Sequence, residues 1–354
     1  MLRYLEIKQE LMKLIDKLHP GEQLADRYSL CRALDTTRVT LDKAIRELVE
    51  QNILVSKKGS GTFVSGAISG RKNGTMNWCV IVPNISEAVY GKLVSGVESI
   101  AHNHNINVIL CNSNNDPEKQ ENFVKRLLIS GISGFIIVPV INNLPLNTYN
   151  LYNVLENAHI PFVLCNRRID GINAPVITSN DFYGGYIATN HLISKGYKNI
   201  AYIAETHYRT SLDRCQGYLS ALLENHIDVN RRLIVIPSAN QLKIDCRQEI
   251  SALLQTEPID AIFCFNDKIA SLVYDVIQSM GKKVGVDIGV IGYDNTEICT
   301  DLSPALTSLS YSSNEIGIKA AEVLFNLCNG KEPSSKFEYY LYQPEIIERN
   351  SCSK

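Results

Sequence analysis

At 354 residues the chain has length for two or three domains, and 45% hydrophobic with 20% charged residues is the balance of a folded globular protein, which excludes a disordered or fibrous one. No apolar run approaches the roughly 20 residues of a membrane-spanning helix, and no charged-then-apolar leader precedes the first amphipathic stretch, so a cytoplasmic protein with no membrane partner is expected. Residues 1–72 hold 13 Lys+Arg against 9 Asp+Glu, net +4, while the remainder stands at net −6, a basic head on a body with no reason to touch nucleic acid.

In chain order, Tyr4, Ile7, Leu11, Leu14, Ile15 and Leu18 mark a first amphipathic helix, and Leu24, Arg27, Leu30, Cys31 and Leu34 a shorter second one. Leu34-Asp35-Thr36 leaves room for a tight turn. From Thr37 the apolar residues Leu41, Ala44, Ile45, Leu48 and Val49 follow the helical period and form one buried stripe. Thr36 or Thr37 caps this helix, because a Thr hydroxyl accepts from the unpaired amides of a first turn. Arg38, Thr40, Lys43 and Arg46 lie off the stripe, where cations and short donors meet phosphates and base edges if the helix enters a major groove. The pair reads as a helix-turn-helix. Ile53–Ser56 and Thr62–Val64 are β-prone, and the turn Lys57-Lys58-Gly59-Ser60-Gly61 between them carries two cations for phosphate and glycines that permit close backbone approach.

Residues 1–66 resemble the DNA-binding domain of the GntR family of bacterial regulators, on the first helix, Pro20-Gly21-Glu22-Gln23-Leu24, Thr37-Arg38 and Gly59-Ser60-Gly61-Thr62-Phe63-Val64. The resemblance implies an α+β winged helix-turn-helix with Arg38, Thr40 and Gly61 foremost among its DNA contacts; Thr37, Lys43, Lys57, Lys58 and Ser60 complete the expected set. Two departures stand out. The family's usual Pro-Ser-Glu-Arg is here Ala25-Asp26-Arg27-Tyr28, and Asp42 occupies a position where a basic residue is common. A carboxylate there must pair with a neighbour, accept from a cytosine amine or point away.

Residues 67–76 are expected to form a flexible linker, on the Gly- and Ser-rich run from Ser65 to Thr75. Beyond it strands and helices alternate: strands near 78–83, 106–111, 134–138, 161–165, 199–204, 232–236, 259–265 and 288–292, with helices between them. Two such series predict two α/β lobes with parallel sheets, and a cleft lined by strand-end loops. Polar groups gather at those ends: Glu87 and Tyr90, Asn166 and Arg167, Asn266, Asp294, with Arg214 beginning a helix. Carboxylate, amide and guanidinium groups interspersed with Tyr suit a polyhydroxylated ligand, each of whose hydroxyls both donates and accepts.

Residues 77–354 resemble the LacI/GalR effector domain, a relative of periplasmic sugar-binding proteins, on Val82-Pro83-Asn84-Ile85-Ser86, Cys111–Pro117, Leu212–Tyr218, Phe265–Ala270, Val290–Asp294 and Pro304–Leu309. The resemblance implies a type I two-lobed periplasmic-binding-protein-like fold that also dimerises. In that family the positions of Asn166, Arg167, Arg214, Asn266 and Asp294 commonly bond a sugar, Glu87, Tyr90 and Tyr311 matching more variable pocket positions. Asn166 stands where Asp is frequent. Members usually carry their own headpiece with a hinge helix, whereas this chain has the GntR-type head.

The expectation is a multidomain transcriptional repressor, a homodimer on near-palindromic double-stranded operator DNA, controlled by a small carbohydrate, with an arabinose-like pentose favoured. A nucleobase or sugar phosphate is the alternative effector. An enzyme is disfavoured, since no G-x-S-x-G elbow, P-loop or metal-spaced His pair occurs and no cofactor is implied; a sugar carrier fits the body but not the basic head. The ten cysteines are scattered singly, several within strand-like apolar runs, and read as reduced small hydrophobes.

Overall fold

A computed structural model describes residues 3–15, 18, 21–50, 53–57, 60–64, 76–140, 145–158, 160–204, 208–236, 246–331 and 338–353. They divide into two compact units, one up to Met76 together with Asn105–Asn107, the other Asn77–His104 and Val108 onward.

The first unit contains α1 (Arg3–Ile15), α2 (Arg27–Ala33), α3 (Arg38–Glu50) and a hairpin of β1 (Leu54–Lys57) and β2 (Gly61–Val64). Ile7, Leu11 and Ile15 of α1 meet Leu41, Ile45 and Leu48 of α3, all buried, so both helices bury the face their periodicity marks. Asp26 caps α2 by accepting from the amides of Tyr28 and Ser29 at 2.9 and 3.0 Å. Asp35 takes a left-handed φ of 43° in the turn into α3. The hairpin pairs antiparallel from Leu54 with Val64 to Lys57 with Gly61, and is tied back by Leu24 N donating to Thr62 O at 2.8 Å and Val64 N to Glu22 O at 2.8 Å.

The second unit has two six-stranded sheets. The first runs β13 (Tyr339–Tyr342), β7 (Val176–Ser179), β6 (Phe162–Cys165), β5 (Gly134–Ile137), β3 (Asn77–Val82), β4 (Asn107–Asn112). The second runs β14 (Glu345–Ile347), β12 (Thr307–Ser310), β11 (Gly289–Tyr293), β10 (Ala261–Cys264), β8 (Ile200–Ile203), β9 (Ile234–Val235). Pairing is parallel from β13 to β3 and from β12 to β9, while β14 runs antiparallel to β12. Strands such as Phe162–Cys165 and Ala261–Cys264 are buried at every position, as helices on both faces of a parallel sheet require. Their cysteines, Cys165 and Cys264, are buried and in no disulfide.

The helices are α4 (Ala88–Asn103), α5 (Pro117–Ile129), α6 (Pro145–Asn157), α7 (Asp181–Ser194), α8 (Arg209–Glu224), α9 (Cys246–Thr256), α10 (Asp267–Ser279), a short α11 (Ile298–Asp301) and α12 (Ser313–Cys328). Each lobe contains one pair so close that glycine is obligatory. A Cβ on Gly96 of α4 would stand 2.1 Å from Asn314 O, and one on Gly317 of α12 2.0 Å from Leu93 O. In the other lobe a Cβ on Gly185 of α7 would lie 2.0 Å from Arg214 O, and one on Gly217 of α8 2.0 Å from Phe182 O. The α4 stripe accordingly buries Leu93 and Val97 by packing on α12.

The structure departs from the expected alternation in two ways. The strand expected at 232–236 is a 3-10 turn at Arg231–Leu233 followed by two-residue β9. Between β9 and β10 the described part of the intervening helix is α9 from Cys246, residues 237–245 lying outside the described residues. Second, α12, β13 and β14 return to a lobe after the chain has passed through the other, while β7 and β12 extend their own sheets before each crossing.

Candidate functional site

In the head, α3 begins at Arg38, with Thr37 Oγ1 2.9 Å from Thr40 Oγ1 and 3.4 Å from the Thr40 amide, the capping geometry its sequence position suggests. Arg38 is 79% exposed. Lys43 is exposed, with its ammonium 4.0 Å over the Tyr4 ring of α1. Lys57 ends β1, and Lys58 lies outside the described residues. Ser60 accepts from Gln23 Nε2 through its carbonyl at 2.9 Å. Gly61 has φ +116°, and a Cβ there would come 2.3 Å from Gln23 Nε2, so glycine is needed both for the turn and for this strut.

The two departures at 27 and 42 meet. Arg27 Nε donates to Asp42 Oδ1 at 2.8 Å, Arg27 Nη2 donates to Thr62 Oγ1 at 3.1 Å, and Arg38 Nε lies 3.7 Å from Asp42 Oδ2. Of the three fates open to Asp42, pairing with a neighbour is the one adopted. Sequence reasoning passed over Val39, 81% exposed in the first turn of α3 and suited to a thymine methyl.

In the body, the sites expected at strand ends gather between the lobes. From the second lobe, Arg214 is buried; its Nε and Nη2 both reach Asp181 Oδ1 at 2.8 Å, and Nη1 donates to the Phe265 carbonyl. Its guanidinium lies 3.4 Å over the Tyr293 ring centroid and 4.6 Å over Phe265. Burial raises Asp181 to about 6 despite Arg214. Tyr293 Oη is held 2.7 Å from Ser179 Oγ. Asn266 caps α10 by accepting from Ile269 N at 3.0 Å, which commits its oxygen and leaves its amide nitrogen for a ligand. Tyr311 packs 5.9 Å from Tyr293 between centroids, and burial lifts its phenol well above the ordinary range.

Asp294 is half-buried at the end of β11 with a left-handed φ of 101°. Burial lifts its carboxyl well above the usual range, with Arg214 opposing. Its neighbour Asp267 is engaged structurally, accepting from Thr296 N at 2.7 Å and Ser308 Oγ at 2.6 Å.

From the first lobe, Arg167 donates to Pro139 O at 3.0 Å and Tyr90 Oη at 3.3 Å, and reaches 4.3 Å over the ring of Tyr208, the residue opening α8 on the other lobe. Burial raises Tyr90 to about 12, with Arg167 opposing. Asn166 has φ 58°, and its buried Oδ1 has no hydrogen-bond partner among the described residues. Glu87 opens α4 without capping it and accepts from Asn84 Nδ2 at 3.3 Å. At the rim Arg168 lies 3.4 Å and Arg209 3.0 Å from Asp213, joining the lobes through one carboxylate.

Asp181, Tyr208 and Phe265 were not among the expected site residues. The signal for Asp181 was the need of a buried Arg214 for a counter-ion, which no local spacing reveals. Among the described residues no cluster of three or more His, Cys, Asp or Glu could hold a metal ion, and no helix is long and apolar enough to cross a membrane.

Comparison with known proteins matches residues 3–64 to the bacterial regulatory proteins of the gntR family and residues 189–352 to the periplasmic binding protein-like domain. The chain is 27% identical over 357 residues to an arabinose metabolism transcriptional repressor of Geobacillus stearothermophilus, covering 99% of this chain and 98% of that one. It is 30% identical over 305 residues to the HTH-type transcriptional repressor PurR of Histophilus somni, covering 85% of this chain and 89% of the relative. Among solved structures it resembles a LacI family transcriptional regulator from Enterococcus faecium with bound ribose, at TM-score 0.64 and 25% identity, over 78% of this chain and 98% of that one.

Proposed function

The chain belongs to the bacterial transcriptional repressors that join a gntR-family DNA-binding head to a periplasmic binding protein-like body, and from that premise we propose a cytoplasmic homodimer that represses carbohydrate-utilisation genes under the control of a small sugar, an arabinose-like pentose, held between the lobes. The observation that carries this reading is the pairing of free acceptors with fixed donors in one cleft. Asn166 Oδ1 is buried without a partner among the described residues, and the Asp294 carboxyl is lifted by burial beside the Arg214 guanidinium, which is fixed by other bonds. Sugar hydroxyls supply both a donor for such acceptors and acceptors for Arg167, Arg214 and the Asn266 amide, while Tyr293, Tyr208 and Phe265 offer faces to C–H groups. The arabinose repressor and ribose-bound regulator among the relatives support a pentose.

A ligand bonded to both lobes favours their closed arrangement by the difference of its affinities for closed and open forms, and a few kcal/mol suffices to shift occupancy of an operator. Residues 67–76, all but Met76 outside the described residues, are the segment assigned to passing the change to the heads, Arg38, Thr40 and Gly61 being the principal DNA contacts, and paired heads read a near-palindromic site.

The test is a thermal-shift screen against pentoses, hexoses, sugar phosphates and nucleobases, since a ligand that binds only the folded state raises the melting temperature. The expected result is a shift with one pentose that disappears in Asp294→Ala. A shift with only a nucleobase or sugar phosphate would overturn the free-sugar reading. In parallel, Arg38→Ala is expected to weaken operator binding in gel-shift titrations at fixed salt while leaving sugar affinity intact.

A further inference from the structure

We infer that Asp42 is a positioning residue of the DNA-reading surface, holding Arg38 and Arg27 in place without contacting a base itself. This rests on α3 being the DNA-reading helix.

The carboxylate lies on the side of α3 that carries Arg38, one turn earlier. Alone it would repel phosphate, yet it sits between two guanidinium groups: Arg27 Nε at 2.8 Å on Oδ1 and Arg38 Nε at 3.7 Å from Oδ2. The trio therefore carries net positive charge. Exposure separates the roles. Arg38 is 79% exposed, Asp42 40% and Arg27 30%, so the guanidinium of Arg38 projects into solvent while the carboxylate lies lower, between its partners. With Oδ1 engaged by Arg27, Asp42 is poorly placed to accept from a cytosine amine. A long arginine side chain loses rotamer freedom when it binds a base edge, and a carboxylate that holds it beforehand reduces that loss.

Arg27 extends the arrangement to the wing. Its Nη2 donates to Thr62 Oγ1 at 3.1 Å, and Thr62 Oγ1 is 3.1 Å from Ser56 Oγ on the paired strand. One carboxylate thus links α2, α3 and the hairpin, so the relative placement of the two DNA-facing elements depends on it. The acidic residue at 42 and the basic residue at 27 make one joint, and neither works without the other.

The experiment compares wild type, Asp42→Asn, Asp42→Glu, Arg27→Met, the Arg27→Met/Asp42→Asn double variant and Arg38→Ala. Each is titrated against two duplexes at fixed salt: one selected from a random-sequence library by the wild-type protein, and one of unselected mixed sequence. Asp42→Asn is expected to lose about tenfold or more on the selected duplex while binding the unselected duplex as well as wild type or better, because one negative charge is gone. Asp42→Glu should keep most of the preference. The double variant should be no worse than the poorer single variant, since both break the same joint. A plainly repulsive carboxylate would instead make Asp42→Asn tighter on both duplexes. A base-reading one would relax the preference at a single base pair on reselection, with Arg27→Met additive. Either result overturns the inference, as does a melting temperature of Asp42→Asn low enough to account for its lost binding when Asp42→Glu loses the preference equally. If Arg38→Ala itself leaves binding to the selected duplex unchanged, it is the assignment of α3 that fails.

Discussion

The two lobes share a plan and meet the cleft on different terms. Each brings two helices together across a pair of glycines, Gly96 with Gly317 in the first lobe and Gly185 with Gly217 in the second. In the second lobe that joint bears directly on the site, because Gly185 abuts the backbone of Arg214, whose guanidinium is satisfied within its own lobe by Asp181 and the Phe265 carbonyl. In the first lobe the joint touches Leu93 and Asn314, outside the cleft cluster, and Arg167 rests on neutral partners and on Tyr208 of the opposite lobe. The second lobe holds its arginine with its own carboxylate and carbonyl, whereas the arginine of the first lobe is held by neutral groups and a ring of the opposite lobe.

The largest test of this contrast is removal of each arginine. Arg214→Met leaves Asp181 buried without its partner and should cost about 3–5 kcal/mol in urea denaturation. Arg167→Met strands no carboxylate in close contact and should cost about 1–2 kcal/mol. Equal losses would erase the distinction. Next, Gly185→Ala and Gly317→Ala should each destabilise by about 1–3 kcal/mol through overpacking. Only Gly185→Ala should also weaken effector binding by the remaining folded protein in calorimetric titration, because it displaces Arg214.

The pH dependence supplies an intermediate test. Asp181 is raised from 3.8 to about 6 in the folded state, so it binds its proton more tightly there than in the unfolded chain. Its contribution to stability is therefore full below 3.8 and lost as pH rises through 6. Wild type minus Asp181→Asn, followed by denaturation midpoint across that window, should show a signed difference that falls toward more negative values as pH rises; one that becomes more positive would contradict the burial of this carboxyl. The smallest effect belongs to the rim: the Arg168–Asp213 pair is partly exposed, and Arg168→Gln should alter effector affinity by less than about 1 kcal/mol.

What could be read in advance followed from local chemistry. The stripe Leu41, Ala44, Ile45 and Leu48 announced α3 because a 3.6-residue period has no other use, and apolar runs announced β3, β5, β6 and β10. Two of the strands that escaped notice are rich in hydroxyls: β7 is Val-Ile-Thr-Ser and β12 Thr-Ser-Leu-Ser. Their hydroxyls are bonded once folded, as Ser308 Oγ is to Asp267 and Thr307 Oγ1 to the Arg349 amide, and that satisfaction is a tertiary fact invisible to a hydropathy pattern. The cleft residues at strand ends were legible because open α/β sheets place ligands there. Their partners were not, since Asp181 lies 33 residues from Arg214. Lys43 shows a contact that the helical period does not reveal: off the buried stripe and exposed, its ammonium lies over Tyr4 of α1.

The order in which strands enter the sheets has a consequence for how this protein is made. The chain passes between lobes at residues 179–181, 310–313 and 342–345. During synthesis the first sheet has five of its six strands once Ser179 has emerged, yet it must wait for α12, and then for β13 ending at Tyr342, before both its helix cover and its edge are in place. The second sheet waits for β14, ending at Ile347. Neither lobe is a contiguous stretch of sequence, so neither can be cut out intact, and a stop or proteolytic nick between α12 and β13 takes an edge strand from both at once. Sequence-distant closure of this kind is slow to form, and it makes the effector-sensing body a late, all-or-none product.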